Sequence, residues 1–220
     1  MFAMRRAVKV TTFALGAAVA LAGCKQIEEL KDAREFADRA SRVAEQKWRV
    51  QGDPSQGIGP LPGTAFEEVP TTGSATFTGS AFIAMTNVDQ RRDTHLLVGD
   101  ARVDVDFSNP NDAVSGSVTN MRRTEALAVS TDIAGQLDLT TGQIGNGAPN
   151  DLSIAYDGFV TPDGTRIGLD GVATGKLRGT RPDATNGQSV VRAIDVTDAD
   201  TNFTAGGATY EGHVTIIGEN

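Results

Sequence analysis

From Ser74 onward the chain alternates apolar and polar residues with a period of two, and no other feature restricts its fold as much. The alternation is clearest where Leu97, Gly99, Ala101, Val103, Val105 and Phe107 interleave with Asp100, Arg102, Asp104 and Asp106. Successive side chains of a strand point to opposite faces, so this run is a strand with one buried and one wetted face. Seven other runs follow the same rule. They are 75–86 with Phe77 and Phe82, 113–120 with Val114 and Val118, and 126–140 with Leu127, Val129, Ile133, Leu137 and Leu139. Then come 152–160 with Leu152, Ile154 and Tyr156, 165–180 with Ile167, Leu169 and Leu177, 189–197, and 208–217 with Tyr210, Gly212, Val214 and Ile216. Turn formers separate them, notably Gly142 to Pro149 and Pro162-Asp163-Gly164. Eight such strands predict an antiparallel up-and-down barrel or sandwich. Eight is also the number at which a barrel closes around an interior that side chains just fill, which suits inner faces rich in Gly, Ala and Val. The outward charges leave no apolar band for lipid, so the expected barrel is soluble and not membrane-spanning.

The amino terminus reads as an address. Arg5, Arg6 and Lys9 precede an apolar stretch from Val10 to Ala22, shorter than the roughly 20 residues a spanning helix needs. It fits a secretory signal. The stretch ends Leu21-Ala22-Gly23-Cys24, which resembles the lipobox of bacterial lipoproteins. That resemblance implies cleavage before Cys24, a diacylglycerol on its thiol and a fatty acyl group such as palmitate on its amine. Two or three chains anchor stably where one holds marginally. Cys24 is the only cysteine, so an exported chain of this sequence carries no disulfide. Lys25, standing where an aspartate would signal inner-membrane retention, points to the outer membrane.

Residues 24–48 are expected to form the lipidated terminus and a spacer helix. No Gly or Pro interrupts 25–48, and Ile27, Leu30, Ala33, Ala37, Ala40 and Ala44 form a narrow stripe at helical spacing. Glu35 with Arg39, and Asp38 with Arg42, are acid-before-base pairs at i,i+4. An alanine seam is weak glue for a coiled coil, so the expected role is a spacer lying on the next domain or the membrane. Residues 49–73 hold Pro54, Pro60, Pro62 and Pro70 among several glycines and are expected to be a flexible linker between separately organised parts. The expected division is therefore signal peptide 1–23, lipidated helix 24–48, linker 49–73 and barrel 74–217. The fold class is mainly β: an eight-stranded antiparallel soluble barrel behind one amphipathic helix.

Within the barrel, Thr76-Phe77-Thr78-Gly79-Ser80-Ala81, then Val103-Asp104-Val105-Asp106-Phe107, then Val114-Ser115-Gly116-Ser117-Val118 occur in that order. This succession resembles the barrel domain of transferrin-binding-protein-B-like surface lipoproteins, the group that includes factor-H-binding protein. The resemblance covers roughly 75–180 and implies a lipid-anchored outer-membrane barrel that binds a protein or nutrient ligand through exposed loops. The chain departs from the family at its end, Tyr210-Glu211-Gly212-His213-Val214, and has no second lobe. The family's own ligands are therefore not carried over.

Chemistry is sparse. With 20 basic against 28 acidic residues and a formal charge of −8, nucleic acid is a poor partner. There is no G-x-S-x-G, H-E-x-x-H or phosphate-cradling loop, and His95 and His213 lack neighbouring ligands at metal spacing. No enzyme, metal or cofactor is expected. Asp100, Asp104 and Asp106 read as a solvated face with Arg102 or an arginine of a neighbouring strand offsetting them, and Gly145 to Asp151 reads as a turn and not a calcium loop. The expected function is a non-enzymatic binding module at the outer membrane, on its periplasmic face or the cell surface. Its contact loops are expected at 87–94, with Arg91 and Arg92, and at 181–188. Two alternatives stand beside it: a lipocalin-like carrier of a small apolar ligand, and a structural envelope lipoprotein.

Overall fold

Alternation in the sequence becomes alternation in burial. In the computed structural model, which describes residues 34, 37–39, 41–91, 93–124, 130–182 and 189–220, Leu97, Ala101, Val103 and Val105 are buried while Asp100, Arg102 and Asp106 between them are exposed. The strands are β1 (Ser74–Asn87), β2 (Thr94–Asp106), β3 (Val114–Thr124), β4 (Ser130–Asp132), β5 (Ala134–Ile144), β6 (Asp151–Thr161), β7 (Ile167–Pro182), β8 (Ser189–Ala205) and β9 (Ala208–Glu219). Only Ile133 separates β4 from β5, and both pair with β3, so they form one stave. Consecutive staves pair antiparallel, and β9 returns to β1 with Ile83 opposite Val214. The result is a closed eight-stranded antiparallel barrel with no free edge among its staves.

The interior is one continuous apolar cluster. Phe77, Ile83, Leu97, Leu137, Ile154, Leu169 and Phe203 are all essentially inaccessible within it. Truncating any one of them to alanine removes about 2–5 kcal/mol. Strand bounds differ from the sequence reading chiefly at three C-terminal ends, the first being the run expected at 113–120, which continues to Thr124. The run expected at 126–140 continues to Ile144, with residues 125–129 outside the described residues. The run expected at 189–197 continues to Ala205, because a bulge between Asp198 and Thr201 breaks its period without ending its pairing to β9. A slip in period reads as a strand end in sequence, although the ladder resumes beyond it.

The helix, α1, covers 41–51, with 37–39 also helical. Among the described residues its buried face is not the alanine stripe, of which only Ala37 and Ala44 are described. Arg39, Val43, Gln46 and Val50 face the barrel, while Ala37 is exposed and Ala44 half-buried. This set also recurs at three and four, but two of its members are polar, so a stripe of apolar residues does not include them. The partner surface explains the choice. A strand wall offers polar acceptors, and long side chains lay apolar stems along it while their heads bond. The helix crosses four staves: Arg39 donates to Asp100 on β2 at 2.6 Å, Gln46 to the Thr78 carbonyl on β1 at 3.2 Å, Arg49 to Glu219 on β9 at 2.6 Å, and Gln51 to Asp195 on β8 at 2.7 Å. Val50 closes against Ala193 and Ile217. Gly79 lies beneath Gln46, where a Cβ would collide with the amide head, so glycine sets how closely the helix approaches.

Residues 52–73, expected as a link between separate parts, lie on the barrel instead. Leu61 N–H donates to Val50 O at 2.9 Å, Thr64 N–H to Leu177 O at 3.0 Å, Gly179 N–H to Pro62 O at 2.8 Å and Phe107 N–H to Gly73 O at 2.9 Å. Asn150 adds a side-chain bond to Thr64 O at 2.9 Å. Prolines cannot donate, so the strap bonds through its carbonyls and through the residues between its prolines. Val69 packs on the barrel core, at the end where the connections 107–113 and 145–150 lie. The opposite end carries the hairpins β1–β2, β6–β7 and β8–β9.

Candidate binding site at the hairpin end of the barrel

The hairpin end is held from within by a polar cluster. Asn87, buried at the end of β1, accepts from Asp89 N–H at 3.0 Å and Gln90 N–H at 3.1 Å, which turns the chain immediately after the strand. Asp93 then receives three groups. His95 Nε2 lies 3.1 Å from its Oδ1, and Tyr210 OH donates to its Oδ2 at 3.2 Å. Asn87 Nδ2 reaches the same Oδ2 at 3.5 Å. From neighbouring staves, Arg123 on β3 pairs with Asp163 in the turn Pro162–Gly164, where Asp163 adopts a left-handed φ of 52°. Five elements therefore meet over one mouth of the barrel.

His95 is 3% exposed, and its Nδ1 is buried without an acceptor or donor. Burial pushes its pKa below the usual value of 6.5; Asp93 and Asp163 oppose that push and Arg123 adds to it. The imidazole is therefore neutral at pH 7 with the proton on Nε2, facing Asp93. Tyr210 is raised by burial and by Asp93, so its phenol stays a donor. The cluster orders the hairpins, and none of Asn87, Asp93, His95 and Tyr210 lines the recess beside it.

Above it, Arg91 stands at the exposed tip of the β1–β2 turn. It lines a recess of about 470 Å³ shared with Thr86, Asp200, Asn202, Glu211 and His213. The bulge at Asp198 to Thr201 pushes Asp200 into this recess. Arg91 and His213, distant in sequence, thus come to one surface. Arg92, the loop 183–188, Cys24 and the lipobox residues Leu21, Ala22 and Gly23 lie outside the described residues.

Other expected groups have partners of their own. Arg102, one of the two offsets expected, forks onto Asp104 at 2.8 and 3.0 Å, and Asp106 accepts from Ser108 N–H at 2.8 Å. Asp100 is taken by Arg39 and by Asn120 at 2.9 Å. Asp151 folds the 145–151 turn upon itself, accepting from Ala148 N–H at 2.6 Å, and Lys176 holds its pKa low. Among the described residues, no group of three or more His, Cys, Asp or Glu side chains is arranged to hold a metal ion.

Sequence reasoning overlooked Asp93 and Tyr210 as partners of His95. A histidine at a strand start beside an aspartate was a weak signal, and Tyr210 joins only through closure of β9 on β1. Comparison with family models, curated proteins and solved structures finds no match for this chain.

Proposed function

We propose that the protein is a lipid-anchored, non-enzymatic binding module of the outer membrane, tethered through Cys24 and presenting the hairpin end of its barrel to a protein or nutrient ligand. The observation that carries the reading is the division of labour between the two barrel ends. The strap 52–73 is laid across one end, while at the other a buried polar cluster holds the turn that exposes Arg91. Loops on a rigid scaffold commonly serve recognition, and this scaffold is closed and filled. Outward charges at Asp100, Arg102, Asp138, Asp157 and Asp170 favour a water-facing wall over a lipid-facing one. The apolar interior, occupied by Phe77, Phe203 and their neighbours, gives the carrier alternative no support. The order of the strand motifs and the Leu-Ala-Gly-Cys stretch add the likeness to transferrin-binding-protein-B-like lipoproteins.

The test has two parts. Cys24→Ala should release the chain from membranes and abolish incorporation of labelled palmitate. Protease treatment of intact cells should free the barrel from the wild-type protein. An unacylated residue 24 sinks the anchor, and a barrel protected in intact cells moves the module to the periplasmic face.

A further inference from the structure

The seam between α1 and the barrel holds a second recess, of about 660 Å³, which shares no lining residue with the recess at Arg91. Its charged lining is mixed: Asp38, Arg39 and Arg42 from the helix side, Asp100, Arg122 and Asp132 from the strands. Asp38 and Arg42 are the acid-before-base pair that helical spacing should join, each turn apart on one face. They do not pair. Neither has a partner among the described residues, and both side chains line the recess. Arg39 is nine-tenths buried; Asp100 takes one end of its guanidinium, and its Nε–H is buried with no acceptor. Asp132, bonded by Arg122 at 2.9 Å, still exposes most of its carboxylate.

The barrel wall is irregular at just this place. The β2–β3 ladder carries a bulge here: Val98 pairs with Arg122 and Asp100 with Thr119, so the extra residue lies on β3, where Asn120 takes a left-handed φ of 51°. One stave thus gives up regular pairing beside the recess, and an unfavourable backbone conformation of this kind gathers at ligand sites. Asn120 uses its unusual conformation to bond Asp100, the same carboxylate that fixes Arg39.

We infer that this recess binds a small zwitterion, an amino acid or short peptide with free ends, whose carboxylate lies on Arg42 beside Arg39 and whose ammonium lies between Asp38 and Asp132. An anion alone would meet the unpaired Asp38 carboxylate and the exposed edge of Asp132, and a cation alone the unpaired Arg42 guanidinium. A molecule carrying both charges satisfies both, and charge-assisted bonds are the stronger kind. The volume falls within the range of small-molecule sites, roughly 300–1,000 Å³.

The inference is tested on the full-length chain by thermal shift, then titration calorimetry. Three matched sets serve as probes: the common amino acids and their simple dipeptides, the N-acetylated forms, and the C-terminal amides. Binding is expected from members of the first set, and at least about tenfold weaker from their blocked counterparts. Asp38→Asn and Arg42→Gln, both at the helix surface, should each weaken binding at least about tenfold while leaving circular dichroism unchanged. Asp132→Asn does the same from a different element, and Arg91→Ala should leave it untouched. The inference is overturned if no zwitterion binds at millimolar concentration, if a blocked form binds as well as its parent, or if the Asp38→Asn/Arg42→Gln double variant binds like the wild type.

Discussion

Tyr156 is 2% exposed on β6 and donates to Asp198 of β8 at 2.8 Å, reaching over Gly171 on the stave between. Burial raises the phenol's pKa and the bond to Asp198 raises it further, so the hydroxyl remains a donor. A Cβ at Gly171 would run into both the carboxylate and the hydroxyl, so only glycine lets this bond cross its stave. The bond lies where β7 and β8 lose register, between Gly168 and Thr174. Tyr156→Phe should therefore lower stability by about 1–3 kcal/mol, the cost of leaving a half-buried acceptor without its partner. A urea midpoint unchanged in the variant would show that solvent serves Asp198 equally well. Gly171→Ala should cost at least as much, and the double variant less than the sum of the two, since both act on one contact.

At the scale of elements, the β1–β2 hairpin is fastened by a titratable group. His95 has a folded-state pKa below its unfolded value of 6.5, so above that pH both states are neutral and the contribution is fully present. As pH falls below about 6.5 the unfolded state takes a proton that the folded state resists, and stability is lost. The difference in unfolding free energy between wild type and His95→Gln should shrink as pH is lowered from 7.5 to about 5. A difference independent of pH would place the imidazole outside the linkage. The helix offers a separate test. Val50 is inaccessible against Ala193 and Ile217, so Val50→Asp should lift α1 from the wall without opening the barrel. Trypsin cleavage at Lys47 and Arg49 should then rise, with the strand signal in circular dichroism retained. Equal resistance in both proteins would mean that the polar contacts of Arg39, Gln46 and Arg49 hold the helix unaided.

Across the whole molecule, closure depends on residues far apart in the chain. β1 at 74–87 pairs with β9 at 208–219, so the barrel closes only when nearly the entire domain is present. Non-local pairings of this sort are slow to form, in the range of milliseconds to seconds for all-β domains. A chain ending at Ala205 should leave β1 and β8 as long, unpaired edges and aggregate, as followed by light scattering. A soluble, monomeric truncation would mean that seven staves close without the eighth. The strap adds a related dependence, since Val69 packs on the core at the end it crosses. The segment before the barrel thus belongs to the barrel's own stability.

The barrel was legible in the sequence because its cause is local. A period of two, seen at Leu97 to Phe107, decides which face of each strand is buried without reference to any other strand. Turn residues such as Pro162-Asp163-Gly164 likewise act within a few bonds. What the sequence left open was every choice that depends on a surface formed elsewhere. Arg39 and Gln46 face inward because Asp100 and the Thr78 carbonyl await them on the assembled wall, whereas helical spacing alone favoured the alanines. The prolines of 52–73 marked an irregular segment, but the acceptors that hold it, such as Leu177 O, exist in one place only after β7 has folded. His95, Asp93 and Tyr210 meet because β9 closes on β1. Alternation is written residue by residue, whereas partnership between distant polar groups requires the closed barrel to bring them within bonding distance.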